Sequence, residues 1–164
     1  MGLSQFCSIL FTFVFKMIKM ENLISIRNSF NVAHQSAELC AKLVEETLNE
    51  KDFHSKGYHA AARMISTKFM YNPFVSIKIY NQAKKDLEKL IEENPNDIEL
   101  HYIRYTIQKN TPRFIGYYKN LKEDREKLIS YMETSNLDEL TNHMLVFFKD
   151  TKDISKEELE EIEN

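Results

Sequence analysis

The residues best suited to chemistry are His101, Arg104 and Gln108. They are spaced three and four apart, so a helix puts them on one stripe. Tyr105 lies beside the stripe. Asn110 and Arg113 follow it in the segment Asn110-Thr111-Pro112-Arg113-Phe114-Ile115-Gly116-Tyr117. A guanidinium offers paired N–H donors that match a carboxylate, so this constellation suits recognition of a carboxylate or a peptide. His101, Arg104, Tyr105, Gln108 and Arg113 are therefore the candidate binding residues. The same side chains have a structural use. Arg104 and Gln108 would donate to carbonyls of the following loop, whose buried backbone groups need partners. Most buried polar clusters serve that purpose, and it is the favoured expectation for Arg104.

No catalytic set can be assembled from the rest of the chain. Among His34, His54, His59, His101 and His143, only His54 and His59 are close, and their spacing turns them to different helix faces. There is no HExxH pair and no Cys/His cluster, and the three glycines form no phosphate loop. Glu45-Glu46 and Glu92-Glu93 are neighbours that diverge around a helix and read as solvated surface. Neither cofactor nor metal nor enzymatic activity is expected.

The elements that position the stripe read as helices throughout, since no segment alternates with period two. The first spans about Glu21 to Asn49, with Ile26, Phe30, Ala33, Ala37, Cys40 and Val44 as its apolar stripe. The second runs from Phe53 to Met70, where Gly57 and Ala60-Ala61-Ala62 allow a close neighbour. Asn72-Pro73 ends it, because a residue before proline leaves the α region. The third reaches Glu93 and turns Phe74, Ile77, Tyr80, Ala83, Leu87, Leu90 and Ile91 inward. After Asn94-Pro95-Asn96-Asp97, the fourth covers Ile98 to Lys109 and is apolar on two opposite sides. Leu100, Ile103 and Ile107 form one side, and Ile98, Tyr102 and Tyr105 the other, so it should pack between neighbours. The loop that follows offers Phe114 and Ile115 as anchors. The fifth helix, Tyr118 to Glu133, buries Leu121, Leu128 and Met132. The sixth ends at Lys149 and buries Leu137, Leu140, Met144 and Phe147 or Phe148, with Ser135 and Asp138 as its capping box. Ser155 and Glu158 cap a last short helix. The expected fold is all-α, a stack of helical hairpins with about six main helices and a short C-terminal one.

Hydrophobic residues make up 43% of the 164 and aromatics 12%, enough for a core. The net charge of −3 argues against a nucleic-acid partner. Residues 1–19 form an apolar N-terminal segment, 20–149 the helical domain and 150–164 an acidic C-terminal helix or tail. The uncharged run from Leu3 to Phe15 is too short for an ordinary span of ~20 residues, and its length suits the core of an export signal. No Lys or Arg precedes it and no small-x-small site follows, which fits a start at Met17 or Met20 instead. An exported, periplasmic location is favoured, with a cytoplasmic one as the alternative. Membrane contact is expected only through this segment. Cys7 and Cys40 form neither a disulfide framework nor a metal spacing.

Ala83, Leu87, Leu90 and Pro95 occupy the offsets of the second half of a tetratricopeptide repeat, and the chain resembles a divergent member of that family. From Ile24 to Met132 it also resembles small bacterial helical proteins that often carry an export signal. That likeness rests on Lys56-Gly57-Tyr58 with the following alanines, on Asn94-Pro95-Asn96-Asp97-Ile98-Glu99-Leu100, and on Ile103-Arg104-Tyr105 with Gln108, Pro112, Phe114 and Gly116-Tyr117. The resemblance implies a helical repeat. It assigns no activity or site. The expected function is a non-enzymatic protein-interaction or scaffold module with an unidentified protein or peptide partner. The alternative is a small-molecule or enzyme-accessory binding protein built around Arg104.

Overall fold

In the computed structural model, residues 3–136 and 138–163 are described, with side chains from residue 20 onward and those of Val14 and Met17. Among them there are eight α-helices and no strand. The helices are α1 (Leu3–Val32), α2 (Ala37–Thr47), α3 (Phe53–Ser66), α4 (Pro73–Glu93), α5 (Ile98–Asn110), α6 (Leu121–Thr134), α7 (Glu139–Asp150) and α8 (Lys156–Glu163). Short 3-10 turns follow α3 at Thr67–Phe69 and α5 at Arg113–Ile115. No described helix is long and apolar enough to cross a membrane.

The single first helix expected from the sequence is two. The chain turns at 33–36, and Ser36 caps α2 by accepting from the Leu39 amide at 3.1 Å. A serine that satisfies an otherwise unpaired amide competes with continuing the helix. The break shifts the helical phase. Ile26, Phe30 and Ala33 are buried on α1, but Ala37 is exposed, and α2 buries Cys40, Leu43 and Thr47. Cys40 packs as a small apolar group, and burial pushes its thiol pKa up. On α7 the cap is Asp138, accepting from the Thr141 amide at 2.8 Å, rather than Ser135. The Ser155–Glu158 box forms in both directions, at 2.8 and 3.1 Å. Leu137 lies outside the described residues.

Short connections turn successive helices back on one another. Asn22 on Glu50 at 2.8 Å and His54 on Asp97 at 2.9 Å gather residue 22 and the turns before α3 and α5 at one end. Lys68 on the His34 carbonyl at 3.1 Å, and Tyr80 with Thr111 at 2.9 Å, gather the turns around 34, 68 and 111 at the far end.

Helix α5 lies at the centre, with nine of its 13 residues buried. Leu100 and Ile103 press on Gly57 of α3, where an added Cβ would fall 2.7 and 3.2 Å from their terminal methyls. Leu87 of α4 closes the same contact. On the opposite side, Tyr102 meets the ring of Phe147 in α7 edge-on, and Tyr105 stacks on Phe148 with ring centroids 5.1 Å apart. Helix α8 packs back on α6, with Ile162 buried and Glu158 paired to Arg125 at 2.8 Å, so the acidic end of the chain is docked.

Two apolar expectations fail at the far end. Phe74 and Ile77 are exposed, since nothing among the described residues covers that side of the first turns of α4. Phe114 is exposed as well, and Tyr117, buried, anchors that loop instead. Leu87 is fully buried where α3, α4 and α5 meet. Leu87→Ala should therefore destabilise the fold by ~2–5 kcal/mol in chemical denaturation.

Candidate functional site

The stripe of α5 turns inward toward α6. Arg104 Nε and Nη2 donate to the two oxygens of Asp124, each at 2.7 Å, and Nη1 donates to Glu88 at 2.9 Å. All three guanidinium nitrogens are thus committed within the chain. Asp124 is 0% exposed and Arg104 4%. His101 joins them, its Nδ1 2.7 Å from Asp124 and its Nε2 2.9 Å from the Pro95 carbonyl. The second oxygen of Glu88 accepts the Tyr117 hydroxyl. The network therefore links α4, α5, α6 and the loop after α5.

The electrostatics follow from burial and pairing. Burial pushes the Asp124 carboxyl up. Hydrogen bonds from Arg104 and His101 outweigh that and hold it below the ordinary carboxylate value. Its place in the first turn of α6 adds the favourable end of the helix dipole. Burial and the Glu88 charge push the Tyr117 hydroxyl well up.

The expectation that Arg104 holds loop carbonyls is corrected, since its partners are carboxylates. The loop holds itself by other means. Ile115 and Gly116 amides donate to Pro112 and Arg113 carbonyls, both at 3.0 Å, and Gly116 has φ of 75°, a conformation that favours glycine. Tyr117 then fastens it through Glu88 and an edge-on contact with Tyr80.

The other stripe residues disperse. Gln108 is buried, its Nε2 3.5 Å from Asn120 and its Oε1 without a hydrogen-bond partner among the described residues. Tyr105 points to the other side of α5 and donates to the Asp153 carboxylate. Arg113 is exposed in the loop, over the ring of Tyr118 at 5.8 Å. The structure thus brings together His101 and Arg104, leaves Gln108 further along the same side, and separates Tyr105 and Arg113.

A second buried network was missed in the sequence. Glu99, on another side of α5, accepts from Arg27 Nε and Nη2 at 2.7 Å each and from the Tyr58 hydroxyl at 2.9 Å. Arg27 also pairs with Glu139 of α7. His54 lies 2.9 Å from Asp97 and 3.7 Å from Glu99. Asp124 had a legible signal. It falls between Leu121 and Leu128, on the inward stripe of α6. Arg27, one residue from Ile26 on α1, had none.

No protein family, curated protein or solved structure matches this chain. What the chain does must follow from its own core and surface. Among the described residues, no group of three or more His, Cys, Asp or Glu side chains is arranged to hold a metal ion.

Two outcomes are expected. Arg104→Ala would leave buried Asp124 with only the His101 imidazole as a partner and Glu88 without its cation, so it should cost ~3–5 kcal/mol in denaturation. A cost near zero would show that the pair opens to solvent. Burial lowers the His54 pKa, but Asp97 and Glu99 outweigh it and raise it above its ordinary value. A raised histidine stabilises fully below its unfolded value of ~6.5, and that stability is lost as pH rises through the folded value. The stability gap between the chain and His54→Gln should therefore widen as pH falls from about 8 to about 6. Melts of both proteins across that range check it.

Proposed function

We propose that the chain is a non-enzymatic scaffold, a divergent tetratricopeptide-like stack of helical hairpins that presents one surface to a macromolecular partner. The observation that carries this reading is the exposed apolar surface at the far end. Tyr71 is 104% exposed, Phe74 84% and Phe114 86%, and Ile77, Ile115 and Tyr118 are exposed beside them. Soluble surfaces rarely expose contiguous apolar groups without a use for them.

Tyr80 brings together the two segments that carry these residues. Its hydroxyl lies 2.9 Å from that of Thr111, and its ring meets Tyr117. Phe74 and Ile77 continue the Tyr80 ridge at spacings of three, toward the start of α4. Phe114, Ile115 and Tyr118 flank Tyr117. The buried networks support a scaffold role as well, since they hold α4 and the loop in fixed relation. Arg104, buried and with every nitrogen engaged by residues of the chain, is not presented to a carboxylate ligand.

The test is site-specific photo-crosslinking of the full chain in the cells that make it. Benzoylphenylalanine at position 74 or 114 should give adducts, whereas at exposed Glu92, on the last turns of α4, it should give none. No adduct from either far-end position would overturn the scaffold reading.

A further inference from the structure

We propose that the far-end surface docks on an anionic lipid bilayer, with Phe74 and Phe114 entering the interfacial zone and the surrounding cations facing the headgroups. The proposal rests on that surface being the contact face of the chain. It adds a second route to a membrane besides the N-terminal run, at the end of the domain away from residue 22.

Charge distribution is the first argument. The stretches 67–85 and 109–122 carry eight Lys and Arg residues and no Asp or Glu, in a chain whose net charge is −3. The acidic side chains that meet these cations come from outside the two stretches. Lys109 reaches Asp153 at 2.8 Å and Lys122 reaches Glu126 at 3.8 Å, but Lys78, Lys85 and Lys119 form no ion pair among the described residues. Cations without local partners beside apolar groups are what an anionic leaflet attracts.

Shape is the second argument. Tyr71 and Phe74 sit at the entry to α4, and Phe114 sits in a 3-10 turn. They stand out from the surface. Two open depressions are lined by other residues, one beside Asn31 and His143, the other beside Ile98 and Tyr131. A folded partner would have to supply matching holes for these projections, whereas a bilayer interface takes them as they are. Tyr71 and Tyr118 have an apolar body and a polar tip, and Arg113 over Tyr118 can keep its charge at the headgroups while its stem is covered. Aliphatic Val75, Ile77 and Ile115 in the same surface have no stacking role on bases, which favours lipid over nucleic acid.

The experiment is flotation of the full chain with vesicles of phosphatidylcholine alone, and with about a third phosphatidylglycerol added. Binding should require the anionic lipid and weaken at high salt. The exposed double variant Phe74→Ser/Phe114→Ser should bind at least about tenfold more weakly with an unchanged melt. Lys78→Gln and Lys119→Gln should each weaken binding about fivefold. Val14→Asp, on the exposed face of α1, should leave anionic-vesicle binding intact. Loss of binding with Val14→Asp alone, with the phenylalanine variant unaffected, would place the contact on the N-terminal run and overturn the proposal. Equal binding to both vesicle types, or none, would overturn it too. If vesicles fail while position 114 still crosslinks to a protein or a nucleic acid, the lipid assignment falls and the scaffold reading stands.

Discussion

A helix surrounded on every side must neutralise whatever charge it carries, and that constraint governs α5. Its buried residues include Glu99, His101, Arg104 and Gln108. Each isolated charge would be costly away from water. The chain meets this with Arg104 against Asp124 and Glu88 on one side, and Glu99 against Arg27 and Tyr58 on another. The partners come from α1, α3, α4 and α6, so neutralising one helix fixes the register of four others. Such buried pairs contribute modestly to net stability, because desolvation consumes much of their attraction, but they penalise any packing that separates them.

The helix ends reinforce this arrangement. Asp124, Glu99 and Glu139 all lie in the first turns of their helices, where the partial positive charge of the dipole favours a carboxylate. The apolar groups fill the spaces between the ionic contacts. Gly57 lets α5 approach α3, and the Tyr105–Phe148 stack joins α7 on the opposite side. The far-end loop belongs to the same framework through Tyr117, since its hydroxyl shares Glu88 with Arg104. A surface made from that loop and the start of α4 is therefore held by the core charges. This links the buried stripe to the exposed aromatic groups, although the stripe itself touches no solvent of consequence.

Local chemistry in the sequence determined much of the architecture. Helical periodicity, Asn72-Pro73 and Asp97 set the bounds of α4 and the start of α5, because proline geometry and side-chain capping act within a few residues. The two apolar sides of α5 and the small residues of α3 marked a central helix with a close neighbour. The break at 33–36 was not read, because one serine cap competes on nearly equal terms with an unbroken helix until tertiary packing selects between them.

The site was legible only in part. That Arg104 and His101 share a stripe follows from their spacing, but a guanidinium donates equally well to a carbonyl, a ligand or a carboxylate. The partner is chosen by what lies across the interface, and Asp124 arrives there from twenty residues further along the chain. Arg27 and Glu99, seventy-two residues apart, are linked by no local pattern at all. The exposure of Phe74, Ile77 and Phe114 was likewise decided in three dimensions. Periodicity states that residues share a face, and only the lengths and ends of neighbouring helices determine whether anything covers it.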